Sequence, residues 1–258
     1  MKYLKGTLGL LISIVILGTG MDAFGFLGFG GDSWKEEVLL HDGRKIIIKR
    51  SQSYGGRGEV GQTPPIKEQD ITFTLPGTNK TITWKSEYSE DVGRANFKLL
   101  ALHILDGTPY VVAIPNLCLS YNKWGRPNPP YVFFKYTNET WQRIPLSEFP
   151  VEFKDINVVI DTKTNKKTIT AQSPVPAELV RNLNNRLTQP EYKTILREPL
   201  AKKMACGEMI RAEDGWLGID WFTNQPTYEA CLEMCERQKV SPQNCPCDRV
   251  FNKSNTGK

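Results

Sequence analysis

Histidine is scarce in this chain. Only His41 and His103 occur among 258 residues, so neither a zincin His-Glu-x-x-His pair nor a His-rich metal site is encoded. No Gly-x-Ser-x-Gly elbow and no P-loop occur, and no dinucleotide fingerprint stands in the strand-turn-helix setting it requires. The standard esterase and nucleotide-binding apparatus is therefore missing. Charge of one sign is also in short supply. The formal net charge is +5, and Lys2 and Lys5 lie in a segment that reads as removable. Lys166-Lys167 and Lys202-Lys203 are isolated pairs, not a basic face, which argues against nucleic acid. Cys-x-x-Cys is absent, so no thioredoxin-like redox pair is expected.

The N-terminus has the layout of a secretory leader. Lys2 and Lys5 form a basic start, Gly6 to Leu17 an apolar run, and Gly18-Thr19-Gly20 a small-x-small site. The uncharged stretch ends at Asp22, short of the roughly 20 residues that span a bilayer. No cysteine lies near the cut, which argues against a lipid anchor. Residues 1–23 are expected to be a signal peptide. The alternative is an uncleaved segment, residues 6–20, anchoring the chain to the inner membrane, and membrane contact is expected only through it.

From about 32 to 172 the sequence reads as an antiparallel β domain. Val38–Leu40 is expected to pair with Ile46–Ile48 across His41-Asp42-Gly43-Arg44, where Asp-Gly supplies positive φ. Ile71–Leu75 faces Thr81–Trp84 across Pro76–Asn79, both alternating apolar and polar. Leu99–Leu105 faces Tyr110–Ile114 across Asp106-Gly107, and Tyr131–Tyr136 faces Trp141–Ile144 across Asn138-Glu139. A fifth hairpin is expected between Val158–Ile160 and Thr168–Thr170. Five hairpins are too few for a propeller; the meander predicts a sandwich or an open barrel. Two loops interrupt it, 51–69 and 116–130, and long loops inside compact domains are often functional.

Residues 173–258 change period and read as a helical, cysteine-rich tail. Leu179, Val180, Leu183 and Leu187 form one helical stripe opening near Pro176. Thr188-Gln189-Pro190-Glu191 has capping-box spacing. A third helix is capped by Thr227 and stopped before Pro242.

Six cysteines in an exported chain favour disulfides. Cys231 and Cys235, at i and i+4, sit roughly 6 Å apart along a helix. Cys245 and Cys247, extended around Pro246, are about 6–7 Å apart. With the chain reversing at 241–244, Cys235 nests on Cys245 and Cys231 on Cys247, leaving Cys118 to pair with Cys206. The rival is a zinc site of Cys231, Cys235, Cys245 and Cys247. Disulfides are preferred, so no metal and no cofactor are expected.

The best recognition candidate is the stretch 121–131. It combines rigid aromatics, Tyr121, Trp124 and Tyr131, with Asn122, Arg126 and Asn128, a mixture suited to peptide or glycan contact. Its structural alternative is a proline-stiffened loop whose Trp124 folds back onto the core. The segment 214–221 is a second aromatic patch whose tryptophans are expected to pack the tail onto the body. Loop carboxylates that could serve a glycosidase are Asp42, Glu59, Asp91 and Glu148, but nothing in the sequence brings two together. Asn79, Asn138 and Asn252 begin glycosylation sequons.

Several segments carry a resemblance: Gly31–Glu37 running into the 41–44 turn and Lys49–Gly56, Pro127–Tyr136 followed by Leu146–Pro150, and Cys235-Glu236-Arg237 with Cys245-Pro246-Cys247. Together they resemble uncharacterised exported proteins of Gram-negative bacteria. The resemblance implies a periplasmic or envelope setting and transfers no activity. The sequence thus predicts an exported envelope protein, periplasmic or secreted. It would be a non-catalytic binding or structural module whose partner is an envelope protein or a glycan. The alternative is a glycan hydrolase using two carboxylates near Trp124.

Overall fold

The computed structural model describes residues 31–58, 61–201 and 205–252. The leader or anchor expected over 1–23, together with Glu59 and Lys202-Lys203, lies outside them. No helix of the described residues is long and apolar enough to cross a membrane.

Two four-stranded antiparallel sheets form the body. The first runs β1 (Gly31–Leu39), β2 (Lys45–Tyr54), β3 (Ile66–Thr74) and β4 (Thr81–Lys85) in simple order. A short ribbon, β5 (Tyr88–Ser89) with β6 (Arg94–Ala95), leads into the second sheet. Its strands are β7 (Phe97–Leu105), β8 (Thr108–Pro115), β9 (Val132–Thr137) and β10 (Thr140–Ile144), with α1 (Leu117–Lys123) between β8 and β9. Each tight turn follows from its residues. Asp106 and Gly107 sit at φ 49 and 73, Asn138 and Glu139 at φ 49 and 62. Two successive positive φ angles match the twist of a two-residue hairpin.

Val38, Ile48, Ile71, Phe73 and Trp84 of the first sheet meet Leu99, Leu102, Ile104, Val111 and Val132 of the second in one buried cluster. The fold is therefore a sandwich. Each such side chain contributes roughly 1.5–3 kcal/mol by leaving water. The first sheet alternates buried and exposed residues along β1 and β2, one face toward solvent. In the second, β7 and β8 are buried on both faces, which is why β8 reads Tyr-Val-Val-Ala-Ile without polar interruption. A bulge at Leu100 lets Leu99 and Leu102 share the inner face and turns His103 to the outer one.

That outer face is covered by the segment after β10. Phe149, Phe153 and Ile195 pack on Leu100, Tyr110, Val112 and Phe133. Arg197 straps it down by donating to the carbonyls of Phe149 (2.8 Å), Pro150 and Phe153 (3.2 Å).

The fifth expected hairpin is not formed. Val158 and Val159 are fully buried and Ile160 is 7% exposed, but no strand pairs with them. Polar side chains replace the ladder. The Glu36 carboxylate accepts the Val159 N–H at 3.0 Å, and Arg50 donates to the Val159 carbonyl at 2.7 Å. Asn184 accepts from Ile160 N–H and donates to Val158 C=O. The 168–170 half is helical instead, in α2 (Lys166–Ala171). The Asp161 carboxylate accepts the Thr164 N–H, and the Asp161 carbonyl accepts the Asn165 N–H, as the chain enters that helix. Only Ile169 of α2 is buried, so three residues that alternate like a strand give a one-sided helix.

The interruptions are also shorter than expected. β2 and β3 extend into the first, leaving 55–65, and α1 fills much of the second. The helix expected near Pro176 is α3 (Ala177–Asn184), which packs Val180 and Leu183 on Trp34, Val159 and Val175. Residues 188–191 make only a single 3-10 turn, Pro190–Tyr192, with no side-chain cap. The tail continues as the hairpin β11 (Met209–Ala212) and β12 (Gly215–Gly218), then α4 (Asp220–Thr223), α5 (Tyr228–Arg237) and α6 (Cys247–Val250). Thr227 caps α5 as expected, its hydroxyl accepting the Ala230 N–H. The tail has its own small core around Phe222, Met234 and the paired cysteines.

The three expected cysteine pairs all stand at disulfide distance. Their Cα separations are 5.2 Å for Cys118–Cys206, 5.8 Å for Cys231–Cys247 and 5.9 Å for Cys235–Cys245, within the range such bonds require. Cys235, Cys245 and Cys247 also bring their sulfurs within 4.8 Å of one another, as two neighbouring disulfides must. The cysteine pairing fits an oxidising, non-cytoplasmic milieu.

Candidate functional site

The stretch 121–131 is held inward. Tyr121 is fully buried, with the Arg126 guanidinium 5.1 Å over its ring. Asn122 donates to the carbonyls of Cys118 and Gly207 and accepts from Arg126 and the Met209 N–H. Arg126 donates to the carbonyls of Cys206 (2.8 Å) and Gly207 (2.9 Å). Asn128 closes a reciprocal pair with the backbone of Leu200, at 3.1 and 2.8 Å. The Tyr131 hydroxyl lies between the carbonyls of Glu191 and Thr194. Trp124 packs its ring 4.6 Å from that of Phe97.

All six side chains are thus engaged within the chain. Asn122, Arg126, Asn128 and Tyr131 thereby tie Glu191, Thr194, Leu200 and 206–209 onto the body beside the Cys118–Cys206 link. The mixture of aromatics and amides that reads as a recognition surface is the same mixture that satisfies irregular backbone when two segments pack together. In the tail patch, Trp221 is 46% exposed and does not pack the tail onto the body, contrary to expectation.

Glu87 and Asp91, the carboxylates that reach Lys123 next to Trp124 in the chain, are held by cations. Lys123 Nζ stands 2.8 Å from Glu87 and 3.6 Å from Asp91, and Arg211 is 3.6 Å from Asp91. Burial alone would raise the Asp91 pKa. The Ser89 hydrogen bond and the two cations outweigh it and move it below the usual range. Every carboxyl group with a resolved shift moves down: Asp32, Glu37, Asp42 and Asp91. A glycosidase acid needs the opposite shift, so that it holds a proton near neutrality. Asp42 is tied to Arg44 in its turn, and Glu148 ends a 3-10 turn.

A different region forms a cleft of about 700 Å³, within the usual size of a small-molecule site. It lies where the loop after β2, the β6–β7 segment, the start of α1 and residues 160–163 converge. Its buried lining includes Val92, Phe97 and Ile160, with Gln69 and Thr162 between them. Arg57, Arg94, Lys98 and Lys163 line its less buried part, with Asp161 the one acidic residue of the lining among the described residues.

One wall depends on glycine. Gly56 has φ +83, and a Cβ there would collide with the Gly93 carbonyl oxygen, which accepts the Arg57 N–H at 2.8 Å. Close backbone approach of the loop to the ribbon therefore needs glycine at 56. At the start of α1, Leu117 holds φ +67 while 53% exposed. A bulky residue in the left-handed region is strained, and such strain is often found at functional sites.

Sequence reasoning singled out the loop 51–69 for its length and its Gly and Pro content but missed the cleft. The lining comes from segments up to a hundred residues apart, and no local pattern joins them. No family model matches the chain, and no curated protein or solved structure is significantly similar to it.

Proposed function

We propose that this chain is an exported, non-catalytic binding module of a bacterial envelope, periplasmic or secreted, and that its ligand occupies the cleft beside β7 and α1. The observation that carries the reading is the cleft itself: ligand-sized, walled by buried apolar side chains and rimmed by charge. The paired cysteines support the location. The pairing of Glu87 and Asp91 with Lys123, and the downward shift of Asp91, support binding over hydrolysis.

Native mass spectrometry of the oxidised protein recovered from an extracytoplasmic fraction tests this. Leu119 lines the cleft from α1, so Leu119→Trp fills it. A small molecule that accompanies the wild type and is missing from L119W is the expected result. Recovery of a reduced chain from cytosol overturns the location. Failure of wild type and variant alike to carry any ligand overturns the binding role.

A further inference from the structure

Four cations line the cleft. Arg57, Lys163 and the pair Arg94 and Lys98 come from three separate segments and share one lining with Asp161, its one acid among the described residues. That acid is already engaged, accepting the Thr164 N–H at 3.0 Å. Eleven ion pairs join described residues elsewhere, and none includes any of these four cations. Arg57 makes one bond to the Glu90 carbonyl at 3.2 Å, and Lys163 one to the Thr63 carbonyl at 3.5 Å. Arg94 and Lys98 have no carboxylate within 4.0 Å among the described residues. Like charges gathered around a low-dielectric concavity raise its potential and draw anions.

The floor has a different character. Val92, Phe97 and Ile160 are each under 8% exposed. Its polar residues are already occupied. The Gln69 amide donates to the Phe97 carbonyl, and the Thr162 hydroxyl donates to Gln52 at 2.9 Å. A neutral sugar gains most where donors and acceptors are both free, and these two donors are already engaged. An apolar body loses nothing by lying there, and an anionic head gains from the four cations.

We propose that the cleft binds an anionic amphiphile, an apolar body bearing one carboxylate or phosphate head, with Arg94 and Lys98 as the principal head-group contacts. This rests on the binding-module reading and names the ligand class of that same site. An acyl chain and a compact aromatic body are two sources of the same chemistry.

The test is calorimetric titration of the full oxidised chain at 50 mM salt, with each probe below its micelle concentration. The probes are dodecyl phosphate, 1-naphthyl phosphate, dodecyl maltoside and inorganic phosphate. One-site binding of an organic phosphate, at least tenfold tighter than dodecyl maltoside or inorganic phosphate, is expected. Preference between the two organic phosphates identifies the source. The Arg94→Gln/Lys98→Gln variant should weaken that binding at least tenfold, and raising salt should weaken it further, as screening requires. Should the double variant not fold, the exposed Lys163→Gln must still lower affinity measurably. Equal binding of the maltoside, or unchanged affinity in the charge variants, overturns anion recognition and leaves the binding role standing. Absence of saturable binding by every probe also overturns this ligand class. The recovery experiment on L119W then judges the binding role by itself.

Discussion

His103 should make the protein acid-sensitive in a definite window. The bulge in β7 places its ring on the outer face of the second sheet, fully buried. It stacks on Phe153 at 4.6 Å and makes one hydrogen bond, from Nε2 to the Asp155 carbonyl at 2.8 Å. Nδ1 is buried without a partner among the described residues. Burial disfavours the imidazolium, the Asp155 carbonyl and carboxylate oppose that weakly, and His41, 6.4 Å away, adds to it; the pKa falls from 6.5 to about 4. The unfolded chain therefore takes up this proton near pH 6.5 while the folded chain refuses it until about pH 4. The stabilisation is fully present above pH 6.5 and is lost as pH falls toward 4. Each unit is worth about 1.4 kcal/mol, so the loss reaches roughly 3 kcal/mol at pH 4.

Urea unfolding followed by tryptophan fluorescence at pH 7.5, 5.5 and 4.2 measures it, with His103→Phe as the comparison. At pH 7.5 the variant should be the less stable by about 1–3 kcal/mol, because the Asp155 carbonyl loses its donor. Toward pH 4.2 the difference should move in the variant's favour by roughly 3 kcal/mol, because only the wild type carries the histidine linkage. Carboxylates common to both chains cancel. A difference that stays constant to within about 0.5 kcal/mol across this range would refute the reasoning.

Other perturbations probe the features that shape the fold and the cleft. Glu36 and Arg50 form a buried ion pair at 2.9 Å, also bonded to Trp34 and to both backbone groups of Val159. Glu36→Ala should cost about 3–5 kcal/mol in chemical denaturation, and Glu36→Gln with Arg50→Met should recover part of it. Gly56→Ala should cost about 1–3 kcal/mol and speed hydrogen exchange in 55–58. Gly61, at the same φ with nothing within 4 Å, should cost less when changed to Ala, by the same exchange measurement. The Cys118–Cys206 link closes 88 residues, so the Cys118→Ser/Cys206→Ser variant should lose about 4.6 kcal/mol by loop entropy. Limited proteolysis should then cut first near 205–208, where the Arg126 and Asn122 clamp is left alone.

What could be read from the chain itself was whatever neighbours along it decide. Asp106-Gly107 and Asn138-Glu139 must turn, alternation in 71–75 and 81–84 must expose one face, and Thr227 must cap a helix. The cysteine pairing was legible too from the i,i+4 helical spacing and the chain reversal, although Pro246, at φ −86 and ψ 1, turns Cys247 into α6 instead of holding it extended. Long-range partners decided the rest. Val158–Ile160 looks like a strand until Glu36, Arg50 and Asn184 take its backbone bonds. His103 follows alternation onto the wrong face until a one-residue bulge reverses it. Asn122, Arg126 and Tyr131 look like a binding surface until carbonyls 60 to 85 residues away, and the Met209 N–H, take up their hydrogen bonds. The cleft was the least visible feature, because Arg57, Arg94, Lys98 and Lys163 are ordinary solvated charges until the sandwich folds three distant segments around one concavity.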